Sequence, residues 1–238
     1  MMARVLLICC LTAIHSTVFS QDNASASREQ IQIPSVPHVS INVKQRAVDV
    51  EAVVCLHEGL LELVACTEGT KEHESIVSVK AQAKHIHLML NLLGAKEGSP
   101  ATTAPLDDTG ERFRNVPAHG APVDVFLVYP NQEGELEEHP INKFIRNKDE
   151  TAFDGNTFIF TGSVLRAREN QKPTYQADKS GNVITISSFG DELLGLQKHF
   201  SHVNDDLQWE VSAADLPPVE TSILLRLRPQ VISGSSKE

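Results

Sequence analysis

Residues 70–75 read T-K-E-H-E-S, a histidine between two glutamates with a lysine and a serine outside them. Three chemistries use these residue types. A hydroxyl nucleophile needs an adjacent base and an oxyanion hole. Paired carboxylates can share general acid–base work. A metal takes imidazole nitrogen, thiolate sulfur and carboxylate oxygen in a tetrahedron. Along an extended segment side chains alternate, so Lys71, His73 and Ser75 share one face and Glu72 and Glu74 the other. His73 and Ser75 could then hydrogen-bond, yet no G-x-S-x-G elbow is present to expose a nucleophile. Two glutamates in a charged turn are ordinarily solvated. The metal reading is sharper: Cys66, His73, Glu74 and His87 fall on successive elements that could converge at one end of a sheet, around zinc or iron. Their C-x(6)-H-x(13)-H spacing matches no standard finger, and no H-E-x-x-H is present. The competing account is structural, with His73 bonding a loop carbonyl and Glu72 or Glu74 pairing with Lys71. The candidate functional cluster is Lys71, Glu72, His73, Glu74, Ser75 and His87.

Those residues need elements to hold them. Ala47 to Leu56 and Leu60 to Cys66 are β-rich runs split by His57-Glu58-Gly59. A short loop ending in Gly predicts a hairpin. Such a hairpin pairs Leu56 with Leu60 and puts Cys55 and Cys66 on opposite faces. It also separates them by about five residues along the ladder, ~17 Å at ~3.4 Å per residue. A disulfide needs Cα atoms within ~7 Å, so two buried free thiols are expected. S-I-V-S-V is a further strand. The run from Ala81 to Leu93 predicts a helix stopped by Gly94. Ile86, Leu88, Met89, Leu90, Leu92 and Leu93 cover one broad face of it, His85 falls inside that arc and His87 opposite.

Residues 95–121 carry turn chemistry without periodicity, and a loop this long is often functional. Strands resume with P-V-D-V-F-L-V-Y and N-T-F-I-F-T. Y-Q-A-D, a Lys-Ser-Gly-Asn turn and V-I-T-I-S-S read as a second hairpin. F-G-D-E-L-L-G-L reads as a short helix, with Asp191 and Glu192 at its positive end. S-I-L-L-R-L-R-P closes the fold. The expected class is α+β, a predominantly antiparallel sheet with one main helix, about 81–93, packed on it.

The N-terminus speaks to compartment. Met1 to Ser20 has one basic residue, Arg4, an apolar run too short to span a membrane, and Val18 and Ser20 at the −3 and −1 positions of a cleavage site. That pattern predicts a signal peptide over 1–20, cleavage near Ser20, and a secreted or periplasmic chain with no transmembrane segment. A polar leader over 21–38, a single domain over 39–230 and a flexible tail over 231–238 complete the expected organisation. The net charge of −10 gives no electrostatic footprint for nucleic acid. Aromatics make up 5% of the chain, too few for a base-stacking platform.

The run V-V-C-L-H-E-G-L-L-E-L-V-A-C-T-E-G-T-K-E-H-E-S-I-V (53–77) resembles the YdjY-domain family of exported bacterial, planctomycete-type proteins. The likeness continues through H-L-M-L-N-L-L-G-A-K-E-G-S-P (87–100), F-I-F-T-G-S (158–163), Y-Q-A-D (175–178) and V-I-T-I-S-S-F-G-D-E-L-L (183–194), covering most of 45–228. Some proteins of that family carry iron–sulfur names. This chain has no C-x(2)-C-x(2)-C run, so it holds no self-contained iron–sulfur motif. The resemblance implies an exported envelope protein and brings no settled function with it; the leading expectation is a soluble, non-enzymatic binding or scaffolding module. T-K-E-H-E-S and the 95–121 loop would form its contact surface for an envelope protein or small ligand. The alternative is a metal-dependent or redox-associated envelope enzyme using the T-K-E-H-E-S cluster.

Overall fold

The computed structural model describes residues 35–149, 152–167, 171–201 and 207–230. The expected signal peptide, most of the leader and the tail lie outside these residues.

Strand-period alternation builds the longest strands. In β2 (Ala47–Val54), β7 (Pro122–Pro130) and β16 (Ser222–Pro229), alternate residues point inward: Val48, Val50, Ala52 and Val54; Val123, Val125 and Leu127; Ile223, Leu225 and Leu227. Their registers align these sets, with Leu225 opposite both Val50 and Leu127. Around them stand β3 (Leu63–Thr67), β4 (Ser75–Val79), β10 (Thr157–Phe160), β13 (Asn182–Thr185) and β14 (Leu194–Gly195).

The pairing order β2-β16-β7-β10-β14-β13-β3-β4 returns to β2, because β4 pairs with both β3 and β2. The sheet is a closed eight-stranded barrel. Neighbours are antiparallel except β3–β4 and β13–β14, which are parallel. Closure leaves no open edge. An eight-stranded barrel is just wide enough for its own side chains, and Phe158, Phe160, Leu63 and Leu127 are among those fully buried. β1 (Val39–Asn42) pairs with the first half of β2, and β8 (Leu136–Pro140) with the second half of β7. β5 (Thr102–Pro105) and β6 (Phe113–Val116) form a hairpin inside the 95–121 segment. Short pairs join β9 (Ile145–Asn147) to β15 (Trp209–Val211), and β11 (Leu165–Arg166) to β12 (Thr174–Tyr175).

The expected α+β sheet under one main helix is therefore wrong: the protein is mostly β. Among the described residues, α1 (Ala83–Leu92) is the one helix of seven or more residues; α2 (Gln176–Ser180) is a single turn. The 47–66 hairpin also fails. β2 and β3 do not pair, because β4 is inserted between them. Local turn chemistry predicts local pairing, whereas barrel closure rewards a non-local partner. The second hairpin fails likewise, since α2 stands before β13 and β13 pairs with β3. No helix forms over 189–196. Instead the Glu192 carboxylate accepts the backbone N–H groups of Phe189 (3.2 Å) and Asp191 (3.0 Å).

Candidate functional site

T-K-E-H-E-S is the return path between two parallel neighbours. Leu63 faces Ser75 and Thr67 faces Val79, so residues 68–74 must carry the chain back along the whole strand. Parallel neighbours usually need a much longer crossover. The segment tightens into a 3-10 turn over Glu72–Glu74, which replaces strand alternation by i,i+3 contacts. Lys71 consequently meets Glu74, Nζ to Oε1 at 3.4 Å, and its ammonium also lies 3.7 Å from the centre of the Phe189 ring. Glu72 accepts the Gly69 N–H. The His73 side chain is 78% exposed, 3.7 Å from Glu74. Ser75 is buried, its hydroxyl donating to Lys71 O at 2.8 Å. Lys71, His73 and Glu74 are thus brought together as a surface cluster, and Ser75 and Glu72 pin the turn.

Cys66 meets a partner the hairpin had excluded. Both cysteines are free thiols. Cys55 Sγ donates to Ser75 O at 3.1 Å, and hydrogen bonding between the thiols is the first cause of both their pKa shifts. That bond holds Cys66 down to about 7, with help from the Ser75 hydroxyl and the Lys71 backbone against the cost of burial. The same bond, then burial, pushes Cys55 up. The pair gives up one proton readily and the second with difficulty.

His87 stands apart from this cluster. The helical wheel sets it opposite the apolar face of α1, yet α1 packs on two sides, against β1 and β2 and against α2. The His87 ring lies edge-on to Phe160 (4.9 Å) and Tyr175 (5.7 Å). Its Nδ1 is 2.9 Å from the Tyr175 hydroxyl. With the Asn91 amide turned to donate to Ala95 O and Glu97 Oε2, His87 Nε2 donates to the Asn91 oxygen at 3.0 Å. The single proton of the Tyr175 hydroxyl goes to Gly162 O at 2.9 Å. Burial lowers the imidazole's pKa, although the Glu97 carboxylate opposes this. Leu88 and Leu92, expected on the buried face, are largely exposed, while Ile86, Met89 and Leu90 are buried.

A cleft of about 630 Å³ opens where α1 ends, between Leu93–Gly98 and His119–Ala121, with Arg46 and Gln230 across it. Its walls are laced to the barrel. Gly98 N–H donates to Phe160 O, Phe160 N–H to Ala121 O, and Ala121 N–H to Lys96 O, at 3.1, 2.9 and 2.8 Å. Ser99 and His119 exchange two backbone bonds of 2.9 Å. Two glycines make this possible: a Cβ on Gly98 would lie 2.1 Å from His119 O, and one on Gly120 2.0 Å from Phe160 O. Among the described residues, neither Arg46 nor Lys96 is in an ion pair.

The YdjY-domain family model matches residues 39–228. The chain belongs to the YdjY-domain family. Neither a curated protein nor a solved structure matches it. In this YdjY domain the four proposed metal ligands do not meet at one point: His73 and Glu74 are neighbours at the surface with Lys71, His87 is held by Tyr175 and Asn91, and Cys66 is buried on β3. No group of three or more His, Cys, Asp or Glu among the described residues is arranged to hold a metal. Sequence reasoning missed Cys55, Arg46, Asn91, Lys96 and Tyr175. The signal that could have found the cleft is the pair Gly98 and Gly120, standing at the two ends of a long aperiodic loop.

Proposed function

We propose that this protein is a non-enzymatic binding module of the cell envelope, exported with cleavage near Ser20. Its ligand would be a small carboxylate or phosphate held in the cleft between the end of α1 and the 95–121 segment. The observation that carries the reading is that Arg46, Lys96 and His119 all line a cleft of about 630 Å³, with the two cations in no ion pair among the described residues, in a chain of net charge −10. Small-molecule sites commonly measure ~300–1,000 Å³ and use a few fixed polar groups. The barrel interior is filled by its own side chains, which leaves the outer surface for ligands. The Gly98 and Gly120 backbone lacing prepares the walls before any ligand arrives, which lowers the ordering cost of binding.

The test is calorimetric titration of the purified chain with inorganic phosphate and with small di- and tricarboxylates. Binding by the wild type that disappears in Arg46→Ala/Lys96→Ala is expected. Binding that persists unchanged in that variant, or no binding at all, removes the ligand assignment. Export is read separately, from the mass of the secreted chain, which should begin at Gln21.

A further inference from the structure

A chain of hydrogen bonds runs from the barrel wall to the cleft, and His87 sets its proton count. At one end Tyr175 donates to Gly162 O at 2.9 Å. That uses the one hydroxyl proton, so the 2.9 Å contact between the Tyr175 oxygen and His87 Nδ1 calls for a proton on Nδ1. At the other end the Asn91 amide donates to Ala95 O at 2.9 Å and to Glu97 Oε2 at 3.0 Å, which leaves its oxygen to accept from His87 Nε2 at 3.0 Å. Both ring nitrogens therefore face acceptors. An imidazolium satisfies both, whereas a neutral ring has one proton and gives up one bond of the chain. Turning Tyr175 toward Nδ1 would desert Gly162 O, and turning Asn91 would set its oxygen against Ala95 O and Glu97. Glu97 joins this chain to the cleft. It packs on Gly162, where a Cβ would lie 2.6 Å from Glu97 Cβ and 3.4 Å from His87 Cε1, and it also lines the cleft.

We propose that the cleft takes up its anion together with one proton, which His87 binds. This rests on the reading of the cleft as an anion site and adds its regulation by pH. With the ring neutral, Glu97 presents its negative charge to the cleft beside Arg46 and Lys96. With the ring charged, an imidazolium stands one amide away from that carboxylate and offsets its repulsion of a bound anion. Burial opposes the charged ring and keeps its pKa below the ordinary 6.5, while Glu97 pulls the other way. The other charged groups around α1 are engaged elsewhere. Asp178 of α2 pairs with Lys84 at 3.5 Å, and Lys179 lines a separate pocket with Arg166. On β2, Asp49 is bound by Arg226 and Glu51 by His38, and β1 carries no ionisable side chain. His85 lies two residues back, ~200° around the helix from His87. By linkage, an anion in the cleft raises the proton affinity of His87 by the same factor by which the proton raises that of the anion.

The experiment is calorimetric titration of the purified chain with inorganic sulfate, which stays a dianion from pH ~8 to pH ~5 while histidine changes charge. Sulfate affinity should rise by at least ~5-fold as the pH falls across that range. His87→Gln and Glu97→Gln should flatten the rise, the second by holding the higher affinity at both ends. His119→Gln, a change in the cleft wall itself, should keep it. Nitrogen NMR of the His87 ring gives a second reading: its titration midpoint should move up in saturating sulfate, with both ring nitrogens protonated at the acid limit. Because Glu97→Gln leaves the buried ring in place, it keeps the test decisive should His87→Gln fail to fold. Sulfate binding of equal strength at both ends of the range overturns the proposal and leaves the anion site standing. So does a rise that survives at full size in Glu97→Gln, a rise lost in His119→Gln, or a His87 midpoint unmoved by sulfate. No binding at any pH removes the anion reading, and this proposal with it.

Discussion

Arg226 is the residue whose loss the outer face of the barrel should tolerate least. It stands on β16 opposite Asp49 of β2, 7% exposed against 9% for Asp49. Its Nε and one terminal nitrogen bind both Asp49 oxygens at 2.6 Å, and the other terminal nitrogen binds Glu138 at 2.6 Å. Arg226→Met keeps much of the volume and leaves Asp49 as a buried carboxylate without its cation. Breaking a buried pair from one side costs ~3–5 kcal/mol. At ~2–4 °C of melting temperature per kcal/mol for a domain of this size, the variant should melt ~6–20 °C lower. Glu138 softens the upper bound, because Arg228 still reaches it at 2.7 and 2.8 Å. Arg226→Met/Asp49→Leu removes both buried charges and should recover most of the loss, since hydrophobic replacement of a buried pair is often near neutral. Urea melts of the three proteins give the free energies. A single variant within ~1 kcal/mol of wild type, or a double variant no better than the single, refutes the reasoning that desolvation dominates here.

Other outcomes follow from the same geometry. Burial alone would raise the Glu138 pKa, but hydrogen bonds from Arg228 and Arg226 bring it below the usual 4.5. Its stabilising contribution is therefore present above pH 4.5 and lost as pH falls through the folded value; acid melts of wild type should show this slope, and Arg226→Met should flatten it. Burial raises the Glu192 carboxyl above 4.5, so the folded state favours its protonated form, and that contribution fades as pH rises through the folded value. Glu192→Gln should hence gain stability over wild type as pH rises toward neutrality and show no gain below the carboxylate range, measured by urea melts at both ends. Gly120→Ala puts a Cβ 2.0 Å from Phe160 O at φ +142°, whereas Gly110→Ala at φ +67° meets open space. The first should lose more than ~3 kcal/mol and the second only the ~1–3 of backbone strain, compared by thermal melts. Tyr175→Phe removes the hydroxyl that meets both His87 and Gly162 O; a loss of ~1–3 kcal/mol is expected, together with a shift in the His87 ring signals by nitrogen NMR.

The strands most legible in the sequence are those with one face in the core. V-D-V-E-A-V-V and S-I-L-L-R-L-R-P announce their period because every second residue enters the barrel. The helix was legible within two residues of each end, since Gly94 stops it and its apolar spacing is helical. Its orientation was not, because two neighbours from distant segments share it and His87 serves the second. The T-K-E-H-E-S cluster was visible as unusual, and its Lys71–Glu74 pairing was among the expected arrangements. Its tight-crossover geometry was not, because nothing local marks β3 and β4 as parallel.

Residue order by itself determined which segments prefer extended or helical backbone, which faces are apolar and which family the chain belongs to, because those depend on neighbours within a turn or two. Closure of the sheet, insertion of β4 between β2 and β3, the placing of Cys55 and Cys66 on either side of β4 and the cleft behind Gly98 and Gly120 were decided only in three dimensions. Each depends on contacts between segments far apart in the chain, where backbone hydrogen bonds are chemically alike and the choice among partners is made by how the whole core packs.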